Sequence, residues 1–142
     1  MNTVAQLLAR KTLFLATIDP KAPVVEALEK MAEKNIGALV VQDGTRYLGI
    51  ITERDYSRKV LLKGKNSTST PVEEIMTTDL PKLKPSDTTE HCMELMSDKH
   101  IRYMPVFENN EIVGLISMSD VVKGMISAQK DTIEQLQSYI SS

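Results

Sequence analysis

The stretch Gly49-Ile-Ile-Thr-Glu-Arg-Asp55 returns 65 residues later as Gly114-Leu-Ile-Ser-Met-Ser-Asp120. A chain that carries one pattern twice in register has few folds open to it. Each stretch joins a glycine, which lets a neighbouring backbone come close, to apolar residues suited to a buried strand. A hydroxyl follows, and a carboxylate three residues after it. The same shift lays Pro20 on Pro85, Glu29 on Glu94, Met31 on Met96, Ile36 on Ile101, Val41 on Val106 and Ile51 on Ile116. Leu28 falls on Met93, Leu48 on Val113 and Thr52 on Ser117, and no gap is needed from position 20 to 55.

Each copy reads as strand, helix, strand, strand, helix. Leu13 to Ile18 is extended and stops at Asp19-Pro20, because proline disfavours helix in the residue before it. Val24, Ala27, Leu28, Met31 and Ala32 recur along one helical face, and Cys92, Met93 and Met96 repeat it. Ile36 to Val41 is an apolar run of strand length. Asp43-Gly44 then turns the chain into a hairpin with Tyr47 to Ile51, and Asn109-Asn110 does the same in the second copy. Asp55 to Leu62 and Asp120 to about Ala128 are the closing helices. Thr70-Pro71-Val72-Glu73 has the residues of a capping box and predicts a short helix through Met76, with Thr3-Val4-Ala5-Gln6 as a weaker equivalent. The expected boundaries are residues 4–62 for the first copy, a polar linker at 63–69, and 70–126 for the second copy. An amphipathic helix at 127–142 carries Ile133, Leu136 and Ile140, in line with Ile126.

Composition narrows the function. A chain of 142 residues with 42% hydrophobic and 25% charged content is an ordinary globular domain or two very small ones. A net charge of −2 argues against a general nucleic-acid binder. The single cysteine allows no internal disulfide and fits a reducing compartment. No apolar run is long enough to span a bilayer, and Arg10-Lys11 follows Leu7-Leu8 instead of preceding a long apolar stretch, unlike a signal peptide. The expectation is a cytoplasmic protein without an anchor.

A tandem β-α-β-β-α repeat closing in glycine, two apolar residues, Ser or Thr, two variable residues and Asp resembles the CBS domain pair, or Bateman module, named after cystathionine β-synthase. The resemblance runs from about 4 to 126. It also rests on Ile36-Gly-Ala-Leu-Val-Val41, Ile101-Arg-Tyr-Met-Pro-Val106 and Val72-Glu-Glu-Ile-Met76. Thr52-Glu-Arg-Asp-Tyr-Ser-Arg-Lys-Val60 is similar to stand-alone bacterial CBS-pair proteins. The resemblance implies an α+β fold of two CBS repeats packed about a pseudo-two-fold axis, with two clefts and a C-terminal amphipathic helix. It also implies an adenosine nucleotide such as AMP, ATP or NAD(H) as regulatory ligand. Asp55 and Asp120 would then hold ribose hydroxyls, and Thr52 and Ser117 would lie near phosphate. Backbone groups at Gly37 and Ala38, and at Tyr103, Met104 and Pro105, would receive adenine.

These residue types suit that chemistry. A carboxylate can accept both hydroxyls of a ribose, and bonds to a charged acceptor are worth about 1.5–3 kcal/mol each. Arg54 beside Asp55 offers a planar cation for phosphate, with Arg58 next. In the second copy Ser119 stands where Arg54 would be, and Arg102, opposite Gly37, offers charge instead, so the two sites should differ. Plainer roles stand beside each. Asp55 and Asp120 also suit helix N-caps, though the duplication favours binding. Thr52 and Ser117 also suit strand-end hydroxyls bonded to backbone. The cluster Arg54, Arg58, Lys59, Lys63 and Lys65 also suits a solvated surface. Tyr103 and Met104 suit either an adenine slot or the core. Pro105 cannot donate to a sheet and predicts an edge or an irregular strand with backbone groups left for a ligand. The first copy has Val40 there, so its slot should differ. Cys92 aligns with Ala27 and belongs to the core. His91 and His100 lack metal-ligand spacing, and no phosphate loop, dinucleotide fingerprint or nucleophile elbow is present. The functional expectation is a homodimeric regulatory sensor without catalysis that needs no cofactor and acts on an unidentified partner protein. The other class is a dimerisation scaffold with no physiological ligand.

Overall fold

The fold was analysed in a computed structural model that describes residues 2–11 and 15–141. Its elements in order are α1 (Val4–Ala9), β1 (Thr17–Ile18), α2 (Val24–Lys34), β2 (Ala38–Asp43), β3 (Arg46–Thr52) and α3 (Glu53–Tyr56), which runs into a π-helical turn (Ser57–Leu61). A 3-10 turn (Val72–Glu74) follows, then α4 (Thr89–Lys99), β4 (Tyr103–Glu108), β5 (Glu111–Ser117) and α5 (Met118–Ser141). Of the extended segment expected at 13–18, Leu13 and Phe14 lie outside the described residues, and the strand itself is Thr17–Ile18.

The 65-residue shift relates the two copies down to single hydrogen bonds. α2 and α4 both end in a left-handed residue, Asn35 and His100, each with φ 54°. β2 pairs antiparallel with β3, and β4 with β5, and both ladders slip at the same place, between Val41 and Gln42 and between Val106 and Phe107. Gly44 takes φ +63° in the first hairpin turn. Asn109 and Asn110 take φ 53° and 64° in the second, a type I′ arrangement that asparagine tolerates. The expected helical face is buried at Val24, Ala27 and Met31, and at Cys92 and Met96, while Ala32 is exposed.

The copies differ where Pro105 replaces Val40. In the first copy Val40 donates its N–H to the Ala16 carbonyl at 3.0 Å, and β1 joins β2 through Thr17–Val40 and Ile18–Val41 to make a three-stranded sheet. Pro105 has no N–H to give. Only the bridge of Leu83 to Val106 survives, in the register of Ile18 to Val41, and the second sheet has two strands. The opening strand expected in the second copy is therefore a single bridge.

The compact units do not follow the order of the repeats. One is Leu13–Leu80; the other joins Met1–Thr12 to Pro81–Ser142. α1 thus packs with the second copy, and the segment around the 3-10 turn packs with the first. The backbone bonds match with a shift of 68 for these arms. Val4 N–H donates to Asp87 C=O (2.8 Å) as Val72 donates to Ala22 (2.8 Å), and Ala5 donates to Pro85 (2.9 Å) as Glu73 donates to Pro20 (3.0 Å). Val4 and Leu7 enter the core with Leu83, Cys92, Met96, Met104, Val106, Ile116 and Val121. Val72 and Ile75 enter the other with Val24, Ala27, Met31, Leu39, Val41, Ile51 and Val60. The stretch 63–69, expected as the linker between copies, closes inside the first unit: Ser67 C=O accepts from Val25 N–H at 2.9 Å, and Asn66 Oδ1 accepts from Thr68 N–H at 2.8 Å.

Two local expectations change. The capping box forms at Thr3 and Gln6 rather than at Thr70 and Glu73. Pro71 is the N-cap of the 3-10 turn without a side-chain bond, because the buried Thr70 gives its carbonyl to Val24 N–H and Glu73 reaches Lys21 instead. The closing helix of the second copy and the tail are also one continuous helix, α5. No Gly or Pro interrupts 125–141, whereas the first copy's helix stops before Gly64, at φ +68°.

The motif glycines are where the arms pass. A Cβ on Gly49 would lie 2.6 Å from the Thr77 carbonyl, which accepts from Ile50 N–H at 3.0 Å; one on Gly114 would lie 2.5 Å from Leu8 Cδ2. Backbone cannot yield as a leucine tip can. Gly49→Ala should therefore cost about 1–3 kcal/mol of unfolding free energy, and Gly114→Ala distinctly less. Urea melts of the two variants would show the order, and equal costs would contradict it.

Candidate functional site

Each motif lies at the junction of a strand end and a helix start. Thr52 is the N-cap of α3 and Asp55 its third residue: Asp55 N–H donates to Thr52 Oγ1 (3.1 Å), and Thr52 N–H donates back to Asp55 Oδ2 (3.0 Å). Ser117 and Asp120 repeat this, with Asp120 N–H to Ser117 Oγ at 3.1 Å and Ser117 N–H to Asp120 Oδ2 at 2.8 Å. The motif is thus a capping box in which the hydroxyl residue is the N-cap. Neither aspartate is an N-cap, the plainer role considered for both.

The register gathers most of the expected residues at one end of each sheet. Ala38 pairs with Thr52, and the Gly37 carbonyl accepts from Glu53 N–H at 3.1 Å. Tyr103 pairs with Ser117, and the Arg102 carbonyl accepts from Met118 N–H at 2.8 Å. Arg54 and Arg102 are exposed near these ends, and Arg58 is exposed on the π-helical turn. Met104 points into the core and is fully buried. Pro105 is buried as well, and its carbonyl accepts from Leu83 N–H at 2.8 Å, so that backbone group is already engaged.

The two carboxylates have different surroundings. Asp55 is only 6% exposed. Its Oδ1 accepts from Thr77 Oγ1 (2.9 Å) and pairs with Lys59 Nζ (2.9 Å), and its Oδ2 also accepts from Thr52 Oγ1 (3.0 Å). Lys59 is fixed in turn by the Ile75 carbonyl at 2.9 Å. Asp120 has Lys11 Nζ on Oδ2 at 2.8 Å, and Lys11 also donates to the Leu115 carbonyl at 2.7 Å. Among the described residues no donor falls on Asp120 Oδ1. Burial opposes the charge on Asp120, yet the Lys11 ammonium and the Ser117 N–H and hydroxyl together hold its carboxyl below the usual range. Burial pushes the Cys92 thiol up to about 11, which fits an inert core residue.

Lys11 and Thr77 were not among the candidate site residues, and Lys59, read as part of a solvated basic cluster, is instead held on Asp55 and the Ile75 carbonyl. Lys59 carried a signal, since it stands four residues after Asp55 on one helix. Lys11 and Thr77 arrive on the exchanged arms, and their spacing from the motif carries no local pattern. Among the described residues no group of His, Cys, Asp or Glu could hold a metal ion.

A twice-repeated β-hairpin closed by a capping box, with an opening arm from the other repeat, defines a tandem α+β module. The chain belongs to the CBS domain family, whose profile matches residues 6–61 and 72–127. A solved CBS-domain protein from Burkholderia ambifaria is 43% identical with a TM-score of 0.85, over 90% of this chain and 96% of that one. The chain is 30% identical to the CBS domain-containing protein YhcV of Bacillus subtilis, over 82% of each. It is 37% identical to the mitochondrial CBS domain-containing protein CBSX3 of Arabidopsis thaliana, over 82% of this chain but only 59% of that longer protein.

Two outcomes test these surroundings. Asp55→Ala strands Lys59, Thr77 and Thr52 and should cost more than about 2 kcal/mol, against a smaller cost of about 1 kcal/mol for Asp120→Ala, which loses its cap and the contact with the part-exposed Lys11. Because the folded Asp120 carboxyl titrates below its unfolded value near 3.9, its contribution is complete above that pH and is lost as pH falls through the folded value. Lys11→Met should move the Asp120 titration upward, measured by side-chain NMR, and shrink the stability lost below about pH 4. An unmoved titration would contradict the Lys11 contact.

Proposed function

We propose that the chain is a regulatory module that binds an adenosine nucleotide of the AMP, ATP or NAD(H) type and acts as a homodimer without catalysis. CBS pairs are regulatory or sensor modules that often bind adenosine ligands. The observation that carries the reading is the second copy's open capacity: Asp120 Oδ1 has no donor among the described residues. A ribose diol supplies the donors Asp120 lacks. The exposed Arg102 favours a phosphate anion at the same end. In the first copy Thr52, Thr77 and Lys59 already occupy Asp55, so the second copy is the stronger half-site. The lone reduced cysteine is in keeping with the cytoplasm.

Isothermal titration with AMP, ATP, NAD(H) and S-adenosylmethionine tests the proposal. At least one should bind, and Asp120→Ala should weaken it by tenfold or more while the fold persists. No heat and no thermal shift with any of them would overturn the reading and leave a ligand-free scaffold.

A further inference from the structure

α5 outruns the unit it belongs to. Val121 is fully buried, and a Cβ on Gly124 would strike the Leu7 side chain, so the helix is seated against α1 up to that turn. From Gln129 to Ile140 every residue is exposed. The family match stops at residue 127, so this arm is not part of the repeated fold. A helical arm of so few turns is marginal in water unless its apolar face is covered.

Its apolar face has a seven-residue period. Ile126, Ile133 and Ile140 fall on a positions, and Val122, Gln129 and Leu136 on d positions. Ile126, Ile133 and Leu136 are 56%, 54% and 58% exposed, and Ile140 is 85% exposed. We propose that this seam pairs with the same seam of a second copy as a parallel, in-register coiled coil. β-Branched residues at a with Leu136 at d favour two parallel strands, and Gln129 would meet its own counterpart, amide to amide, in the seam. Charge selects the same arrangement. The flanking e positions are Lys123, Lys130 and Gln137, and the g positions Met125, Thr132 and Tyr139. Parallel strands set Met125 beside the partner's Lys130 and Thr132 beside the partner's Gln137, with no like charges together. Antiparallel strands set e against e and crowd the lysines. Asp131 and Glu134 lie at outward positions and stay in water. The pairing rests on α5 alone and not on nucleotide binding.

The full chain with Cys92→Ala, carrying either Ile126→Cys or Leu136→Cys, is the direct test. Under mild oxidation each variant should form a covalent dimer by itself in more than half of the chains. Failure of either to cross-link, or a dimer that forms only when the two are mixed, as antiparallel strands would give, overturns the proposal. Because Ile133 touches neither core, Ile133→Asp should leave the thermal melt of the body unchanged. It should raise the dimer dissociation constant at least tenfold in sedimentation equilibrium. An unchanged dissociation constant, or a wild-type chain that stays monomeric, overturns it as well. Nucleotide titration of Ile133→Asp stands apart from these readouts, so a failed nucleotide assignment and a failed coiled coil are told apart.

Discussion

The structure depends on the hold that each opening arm has on the repeat it does not precede. Val4 and Ala5 are bonded to the loop before α4, as Val72 and Glu73 are bonded to the loop before α2. Neither arm is long enough to be stable alone; α1 has six residues and the 3-10 turn three. What orders them is burial of Val4 and Leu7 in one core and of Val72 and Ile75 in the other. The arm also supplies the motif aspartate with its donor, Thr77 for Asp55 and Lys11 for Asp120. Fold and site therefore share one device. The strand glycines, with no Cβ to obstruct, are what let the arms come close enough.

On this frame the two copies have diverged at a few positions with outsized effects. Pro105 removes one N–H and with it a strand pairing, so the second sheet has two strands. The position of Lys59 is Gly124 in the second copy, which trades an ion pair on the motif aspartate for close packing against Leu7. Asp55 is thereby sealed by its own unit, while Asp120 keeps an oxygen free of donors among the described residues. A charged group buried with partners is costly to disturb, and one that is half satisfied can still take a ligand.

The motif itself joins structural and binding roles. Its hydroxyl and carboxylate cap a helix, and capping consumes one lone pair of the hydroxyl and one oxygen of the carboxylate. Capping and binding, weighed as alternatives for Asp55 and Asp120, are compatible at Asp120 because a carboxylate has four acceptor sites. They compete at Asp55, where three further contacts have been added.

The repeat, the order of the elements, the hairpins and the amphipathic character of the tail were legible in the sequence. All follow from local rules: side-chain periodicity, turn residues with positive φ, and identity at a fixed shift. Asn109-Asn110 and Gly49 could be read in place because their roles are backbone roles. The core position of Cys92 followed from its alignment with Ala27. Only tertiary structure decided which unit each arm joins, because Thr3-Val4-Ala5-Gln6 and Thr70-Pro71-Val72-Glu73 look alike along the chain and differ in what they meet. The same holds for Lys11 and Thr77, which reach the motif aspartates from segments distant in sequence. It holds too for the inequality of Asp55 and Asp120: the two share one motif, and what separates them is the set of donors that packing brings to each carboxylate.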